Sequence, residues 1–170
     1  MDLESEILRE HSKQHTVNIA RWVGNDPARF KQLMEVFLRG EYRTAQLAAW
    51  IVSYCVHWHP QLAGPWLKPM VKRMQEPTVH DAVRRCVVGV LQFVDIPRSL
   101  QGKVANLCFG YLNTPGTPIA IQAFSMTVLA RIAEQQPELR NEVKLVIQQM
   151  MPYGSAGIKS RAKKVLKGLE

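Results

Sequence analysis

Several features that would indicate a particular class of protein are missing from this 170-residue sequence. It has no run of about eighteen uncharged apolar residues, which excludes a membrane-spanning helix. The first residues, MDLESEIL, are acidic and lack a basic segment followed by an apolar one, so they do not form a secretory signal. The only cysteines, Cys55, Cys86 and Cys108, are far apart and form no CxxC pair. We therefore expect reduced, buried thiols in a cytoplasmic protein.

Recognised catalytic and metal-binding motifs are also absent. The chain has no GxSxG, no Gly-rich phosphate loop and no pair of carboxylates placed for acid–base chemistry. The segment CVHWHP brings Cys55, His57 and His59 together in sequence, but positions i and i+2 of a helix point to nearly opposite sides. His11 and His15 have a metal-compatible i, i+4 spacing without the glutamate of HExxH. We interpret these histidines as capping and surface-packing residues, and predict no catalytic residue, no cofactor and no metal.

The composition is that of a globular protein with an excess of positive charge. Apolar residues make up 46% of the chain and charged residues 21%. The formal net charge is +8 and the pI about 9.7. Residues 158–170 contribute much of this positive charge through Lys159, Arg161, Lys163, Lys164 and Lys167, against Glu170 alone. A basic end of this kind is compatible with an acidic partner or nucleic acid, and solubility is the simpler interpretation.

The spacing of apolar residues predicts an all-α protein built from repeats. Prolines and glycines divide the chain into segments of about 11 to 20 residues with apolar spacings of three and four, and nothing alternates with period two. In every second segment a small residue recurs at intervals of 38, 37 and 39, namely Ala48, Cys86, Ala123 and Ala162. Seven positions further on, the corresponding row is Cys55, Phe93, Ala130 and Leu169. The intervening segments keep the same register through Leu33, Met70, Leu107 and Val146.

This pattern predicts a superhelix of about four helical hairpins with an N-terminal capping helix. We expect one domain over residues 1–170, with the cap at 2–23 and repeats at about 26–64, 65–99, 100–137 and 138–170. The lysines of the last helix would then be the polar cap that terminal repeats need. A non-repetitive helical bundle is the alternative.

Three segments carry a resemblance to a known class. HDAVRRC, AIQAF and GIKSRAKKVLKGL resemble the Val-Arg-x-x-Ala pattern of HEAT-type repeats. Residues 40–169 are also similar to a family of short helical proteins of Bacteroidetes-type bacteria, which carry variants of RTAQLAAW, HDAVRRCV, AIQAFSMTVL and SAGIKSRAKKVLK in this order. Some members bear the name adenylosuccinate lyase. True lyases of that kind are much longer and carry a Met-Pro-x-Lys signature that GTPIAIQ and MPYGSAGIKS do not reproduce. The resemblance therefore implies a HEAT-like solenoid and transfers no catalytic residue.

The resemblance also suggests where a partner would bind, because the second helices of HEAT-type stacks usually line the concave surface. Trp50, two positions past Ala48, lies off the core-facing stripe and would be an interaction anchor, or would pack on the N-terminal helix or the next repeat. Arginines of the second helices would form a ladder, although an Asp81–Arg85 pair at i, i+4 is the simpler interpretation for that repeat. The predicted partner-binding residues are Arg43, Trp50, Arg84, Arg85, Arg161 and Lys164.

Our leading hypothesis is a non-catalytic scaffold or adaptor that binds a protein partner on its concave surface. Outward apolar positions would pack between repeats or line that surface, at Val88, Leu91, Ile121 and Val128. The alternative is a nucleic-acid-binding protein resembling HEAT-like alkylpurine glycosylases, in which Trp50, Asp81, Arg84 and Arg85 would contact DNA. Lyase activity is a third hypothesis.

Overall fold

The structure, a computed structural model, describes residues 2–170. Over this part of the chain the regular secondary structure is entirely helical and comprises ten α-helices with short 3₁₀ turns, so the predicted all-α class is confirmed. The chain forms two compact units: unit 1 ends at Asp95, and unit 2 is Ile96–Glu170. From residue 2 onward, no helix has both the length and the hydropathy that crossing a membrane requires.

Unit 1 contains six helices, of which the fourth is central. They are α1 (Leu3–Arg9), α2 (Lys13–Val23), α3 (Pro27–Arg39), α4 (Tyr42–Trp58), α5 (Leu67–Met74) and α6 (Asp81–Leu91), with 3₁₀ turns at Pro60–Leu62 and Gly64–Trp66. Helix α4 packs against α1, α2, α3 and α6, and α5 packs against α6. This central position explains why α4 is apolar over most of its circumference: it buries nine residues, from Thr44 to Val56.

The N-terminal segment differs from its prediction. A single capping helix over 2–23 is wrong, because α1 ends at Arg9 and α2 begins at Lys13. The Ser12 hydroxyl accepts a hydrogen bond from the His15 amide at 3.1 Å, which caps α2 and stops it from continuing backwards. His11 therefore lies outside both helices, and the predicted histidine pair on one helical face is also wrong. His15 is buried, with its Nε2 2.7 Å from the Glu6 carbonyl oxygen.

The connection between α3 and α4 depends on a close backbone approach at Gly40. A Cβ atom at this position would lie 2.5 Å from the Val36 carbonyl oxygen and 3.2 Å from the Thr44 side chain. The Gly40 carbonyl oxygen accepts a hydrogen bond from Arg73 Nη2 at 2.7 Å, which joins this turn to α5. The lack of a side chain therefore lets α4 start immediately after α3.

Unit 2 contains four helices, of which the second is central. They are α7 (Arg98–Asn113), α8 (Ile119–Gln135), α9 (Arg140–Met150) and α10 (Ala156–Gly168), with 3₁₀ turns at Pro137–Leu139 and Met151–Tyr153. Helix α8 packs against α7, α9 and α10. It buries eight residues, from Ile121 to Ala133, which accounts for its nearly continuous apolar sequence.

Three glutamines form an amide network at the end of α8, and one of them, Gln101, is buried. Gln101 is only 1% exposed. Its Nε2 donates to the Ile96 carbonyl oxygen at 3.0 Å and to Gln135 Oε1 at 2.7 Å. Its Oε1 accepts from Gln136 Nε2 at 2.7 Å. The side-chain nitrogen and oxygen of Gln101 therefore both have hydrogen-bond partners, as is usual for a buried polar group.

The predicted repeat register is visible in the burial of equivalent positions. Each predicted repeat range contains one pair of helices, although α7 begins two residues before its range. The small residues of the second helices are all buried, at Ala48, Cys86, Ala123 and Ala162. Phe93 departs from its row: it is 43% exposed, because α6 ends at Leu91 and Phe93 lies in the turn that follows. The exact repeat boundaries and the single-domain organisation stay predictions.

The cysteines are free and buried, as predicted. Burial raises the pKa of the Cys55, Cys86 and Cys108 thiols from the ordinary value of 9.0 to about 12. At neutral pH these thiols are protonated and unreactive, because the thiolate is the nucleophile and the metal ligand.

Candidate functional site

The histidines and cysteines singled out as a possible metal site do not converge. No group of three His, Cys, Asp or Glu side chains within residues 2–170 has the geometry of a metal site. Cys55 Sγ points to the Ala20 carbonyl oxygen of α2 at 3.9 Å, whereas His57 is exposed. His80 Nδ1 accepts a hydrogen bond from the Ala82 amide at 2.9 Å and so caps α6.

Helix α4 presents a polar and aromatic stripe on the side opposite its buried residues. The stripe follows intervals of three and four, which place its members on one helical face: Arg43, Gln46, Trp50, Tyr54 and His57. Trp50 is 44% exposed, although it is among the largest apolar side chains of the protein. The prediction that Trp50 lies off the core-facing stripe is therefore confirmed.

Trp50 contacts His11, and His11 in turn contacts Arg43, in the first half of this stripe. The His11 ring lies 5.2 Å from the Trp50 ring, tilted by 57°. Arg43 Nη2 lies 3.3 Å from His11 Nδ1, and Arg43 Nη1 donates to Gln46 Oε1 at 2.9 Å. Because a guanidinium can only donate, His11 Nδ1 is the acceptor in this contact. The break between α1 and α2 thus places a histidine beside the exposed tryptophan.

More ring contacts join α4 to α6 at both ends. Tyr42 and His80 have ring centroids 4.8 Å apart, where the two helices begin. His57 and Phe93 are perpendicular with centroids 6.1 Å apart, where the two helices end. The two helices therefore run side by side in the same direction, and their exposed sides adjoin.

We name this surface the α4–α6 face and define it by its exposed or half-buried members: Arg43, Gln46, Trp50, Tyr54, His57, Trp58, Arg85 and Phe93. Tyr54 and Trp58 pack against each other with ring centroids 5.5 Å apart. Arg85 is the exposed arginine of α6, and Phe93 lies in the turn that follows this helix.

The structure divides the six predicted partner-binding residues. Arg43, Trp50 and Arg85 lie on the α4–α6 face. Arg85 is exposed and makes no hydrogen bond or ion pair with any residue that the structure describes. Lys164 is an exposed residue of α10 in unit 2.

Arg84 does not belong to this face. Arg84, and not Arg85, forms the ion pair with Asp81. Its Nη1 donates to Asp81 Oδ1 at 3.1 Å and to the Val79 carbonyl oxygen at 3.2 Å. Its Nη2 donates to the carbonyl oxygens of Glu76 at 2.9 Å and Pro77 at 3.3 Å. The predicted Asp81–Arg85 pair is wrong, because the loop carbonyls draw Arg84 to the side of the helix where Asp81 lies.

Arg161 is likewise engaged in packing within unit 2. Its Nη1 donates to Thr127 Oγ1 at 2.9 Å and to the Ala123 carbonyl oxygen at 3.4 Å. The guanidinium also lies 5.6 Å from the centre of the Phe124 ring. Arg161 thus joins α10 to α8, and the predicted ladder loses two of its four arginines to packing.

Sequence reasoning missed some members of the face and misplaced others. His57 was interpreted as a capping or surface-packing residue, and none of Tyr54, Trp58 and Phe93 was among the predicted partner-binding residues. The three- and four-residue spacing from Arg43 to His57 was a readable signal for one exposed stripe. Four apolar residues predicted to pack between repeats or to line a groove are buried: Val88, Leu91, Ile121 and Val128.

Helices paired in sequence, with equivalent buried positions returning about every 38 residues, define an all-α helical-repeat protein. A comparison with protein-family profiles gives the particular family. The chain belongs to the HEAT repeat domain family, whose profile matches residues 3–169. No curated protein and no solved structure matches the chain.

Proposed function

We propose that this chain is a non-catalytic helical-repeat scaffold that binds a protein partner through the α4–α6 face. Membership of the HEAT repeat family supports the proposal, because such repeats often mediate protein interactions and are generally non-catalytic. Stacked helical repeats bind partners on the surface lined by their second helices, which is usually concave. Helices α4 and α6 are the second helices of the first two predicted repeats.

The exposure of Trp50 is the observation that carries the proposal. Exposed large apolar side chains that cluster mark interaction sites, whereas scattered ones need no explanation. Eight such side chains are found in the described residues, and half of them lie on α4 or just beyond α6: Tyr42, Trp50, Trp58 and Phe93. Tryptophan and arginine are also the residue types most often found at the energetic centre of protein interfaces.

Affinity capture from native lysate, followed by mass spectrometry, tests this proposal. The bait proteins are the wild type, the double variant Trp50→Ser/Arg85→Glu and the control Tyr153→Ser. Tyr153 suits the control because it is 92% exposed and lies in unit 2. We expect at least one protein to be retained by the wild type and the control and lost by the double variant. Identical sets of captured proteins for all three baits would contradict the proposal.

Nucleic-acid binding is a second candidate, favoured by a separate observation. Helix α10 exposes Lys159, Lys163, Lys164 and Lys167 and contains no carboxylate. The parallel with alkylpurine glycosylases is weakened, however, because Arg84 is bound to loop carbonyls. Fluorescence titration with labelled DNA and RNA tests this candidate, since binding through phosphates weakens steeply as salt rises. Absence of binding at low salt would eliminate it.

The non-catalytic assignment has a direct test as well. The similarity to short Bacteroidetes-type proteins, some of them named adenylosuccinate lyase, stays a prediction. We expect no turnover of adenylosuccinate, and turnover above a buffer blank would refute the assignment. We also propose the cytoplasm as the compartment, which the free and buried cysteines support.

A further inference from the structure

The charges around the α4–α6 face restrict what can bind there. Helix α4 contains no Asp or Glu, and Asp81 is the only carboxylate of α6. Asp81 is paired with Arg84 at 3.1 Å. Glu41 precedes α4 and Asp95 follows Phe93, so both lie at the ends of the face. On the two helices between these ends, the permanent charges outside the Asp81–Arg84 pair are the exposed guanidiniums of Arg43 and Arg85, and both are positive. The loop that carries His11 also contains Glu10, whose carboxylate accepts a hydrogen bond from the Ser12 hydroxyl.

The apolar part of the face is organised in advance of binding. Trp50 lies against His11, Trp58 against Tyr54, and Phe93 against His57. Rings that already contact a neighbour lose little conformational freedom when a partner covers them, which favours affinity. These aromatic surfaces therefore suit apolar side chains of a partner.

The length of the face fits a short peptide segment. Fourteen residues separate Arg43 from His57, which corresponds to about 21 Å along the helix axis. A helical segment of about 14 residues, or an extended one of about six, has the same length.

We propose that the α4–α6 face binds an acidic peptide segment of a partner protein. Its carboxylates pair with Arg43 and Arg85, and its aromatic or aliphatic side chains pack on Trp50, Trp58 and Phe93. Guanidinium groups bind carboxylates in a bidentate manner, and their positive field accelerates the encounter with an acidic partner. This inference rests on the proposed function and adds the chemistry of the partner to it.

A peptide occupant is favoured over a nucleic acid by the number of charges. Proteins that bind nucleic acids draw most of their affinity from several phosphate contacts, and this face offers only two permanent positive charges. Two guanidiniums beside a set of rings suffice for a peptide, where a few anchors carry most of the binding energy.

Selection from a random phage-displayed library of peptides of about 16 residues, long enough to cover the face as a helix, tests the proposal. Binders are selected on the wild type and counter-selected on Trp50→Ser. We expect the enriched peptides to be net acidic and to contain an aromatic residue. For a synthetic copy of an enriched peptide, fluorescence anisotropy should show about 30-fold weaker binding to Trp50→Ser and about tenfold weaker binding to Arg85→Glu. Tyr153→Ser should bind like the wild type.

The other outcomes separate this inference from the proposed function. Enrichment of neutral or basic peptides that require Trp50 would overturn the acidic assignment and leave the protein-binding face intact. Absence of any Trp50-dependent peptide would overturn the inference, whereas the proposed function is decided by its capture experiment. Displacement of the peptide by a single-stranded DNA oligonucleotide that binds wild type and not Trp50→Ser would assign the face to nucleic acid and overturn the inference.

Discussion

Replacing Arg84 by alanine tests the assignment of this side chain to the loop that precedes α6. Arg84 donates to the carbonyl oxygens of Val79, Glu76 and Pro77 and forms an ion pair with Asp81. The bonds to Glu76 and Pro77 are exposed, so water can replace them and each contributes toward the low end of about 0.5 to 1.5 kcal/mol. The Asp81 carboxylate is half exposed, so the ion pair adds less than about 1 kcal/mol. We therefore expect Arg84→Ala to lower the free energy of unfolding by about 2 kcal/mol.

The adjacent arginine provides a matched control. Arg85 is exposed and lacks these bonds, so Arg85→Ala should change the free energy of unfolding by less than about 0.5 kcal/mol. Urea denaturation followed by tryptophan fluorescence is the assay. All four tryptophans precede Asp95, so the signal comes from unit 1. Hydrogen exchange of the backbone amides of residues 76–82 should accelerate in Arg84→Ala alone. Equal effects of the two substitutions on stability and exchange would refute this reasoning.

Two further predictions concern glycine and cysteine. Gly40→Ala should destabilise the protein by about 1 to 3 kcal/mol, because the added Cβ would overlap the Val36 carbonyl oxygen. Gly102→Ala should stabilise the protein by about 0.5 to 1 kcal/mol, because this exposed position in α7 has no atom within 4 Å of the added carbon. Thermal denaturation that showed stability changes of the same sign for the two glycine variants would contradict these predictions. Burial raises the pKa of Cys55, Cys86 and Cys108 from 9.0 to about 12. Above pH about 9 the unfolded chain loses thiol protons that the folded chain keeps, so the free energy of unfolding should fall as pH rises toward about 12. Urea denaturation at a series of pH values should show that the free energy of unfolding falls less with rising pH for Cys108→Ala than for the wild type. An identical fall in the two proteins would count against thiol burial as the cause.

The helical class and the repeat register could be predicted because they depend on local and periodic information. Proline and glycine end helices for reasons of backbone geometry, and small residues at equivalent positions mark where helices approach closely. Ala48 and Ala162 are both fully buried, as their place in the register predicted. The position of Trp50 relative to Ala48 was likewise sufficient to predict that Trp50 lies off the core-facing stripe, because a step of two residues leaves the buried side of a helix.

The N-terminal break could have been read from the sequence, because residues 9–16, REHSKQHT, contain no apolar residue and Ser12 is a common helix-capping residue. The hydrogen bond from the His15 amide to Ser12 shows where α2 starts. The partner of Asp81, in contrast, could not be predicted. Arg84 and Arg85 are adjacent residues of one type, and helical spacing does not decide which of them pairs with Asp81. The choice depends on carbonyl groups of the loop between α5 and α6, whose path the sequence pattern of α6 does not encode.

The contacts of the α4–α6 face are tertiary and join distant parts of the chain. His11 reaches Trp50 across 39 positions, and His57 reaches Phe93 across 36. No spacing rule within one helix relates such residues. The exposed stripe of α4 could therefore be predicted from the sequence, whereas its continuation onto α6 and the contact of His11 with Trp50 required the structure.

The amide network of Gln101, Gln135 and Gln136 constrains how this part of the protein can vary among relatives. Replacing Gln101 alone by leucine removes the donor to the Ile96 carbonyl oxygen, and replacing all three glutamines by aliphatic residues removes it as well. Gln135 is exposed, so its amide can bind water when Gln101 is lost. Among relatives Gln101 should accordingly be kept, or replaced by a residue that still donates to this carbonyl, while Gln135 and Gln136 vary more freely.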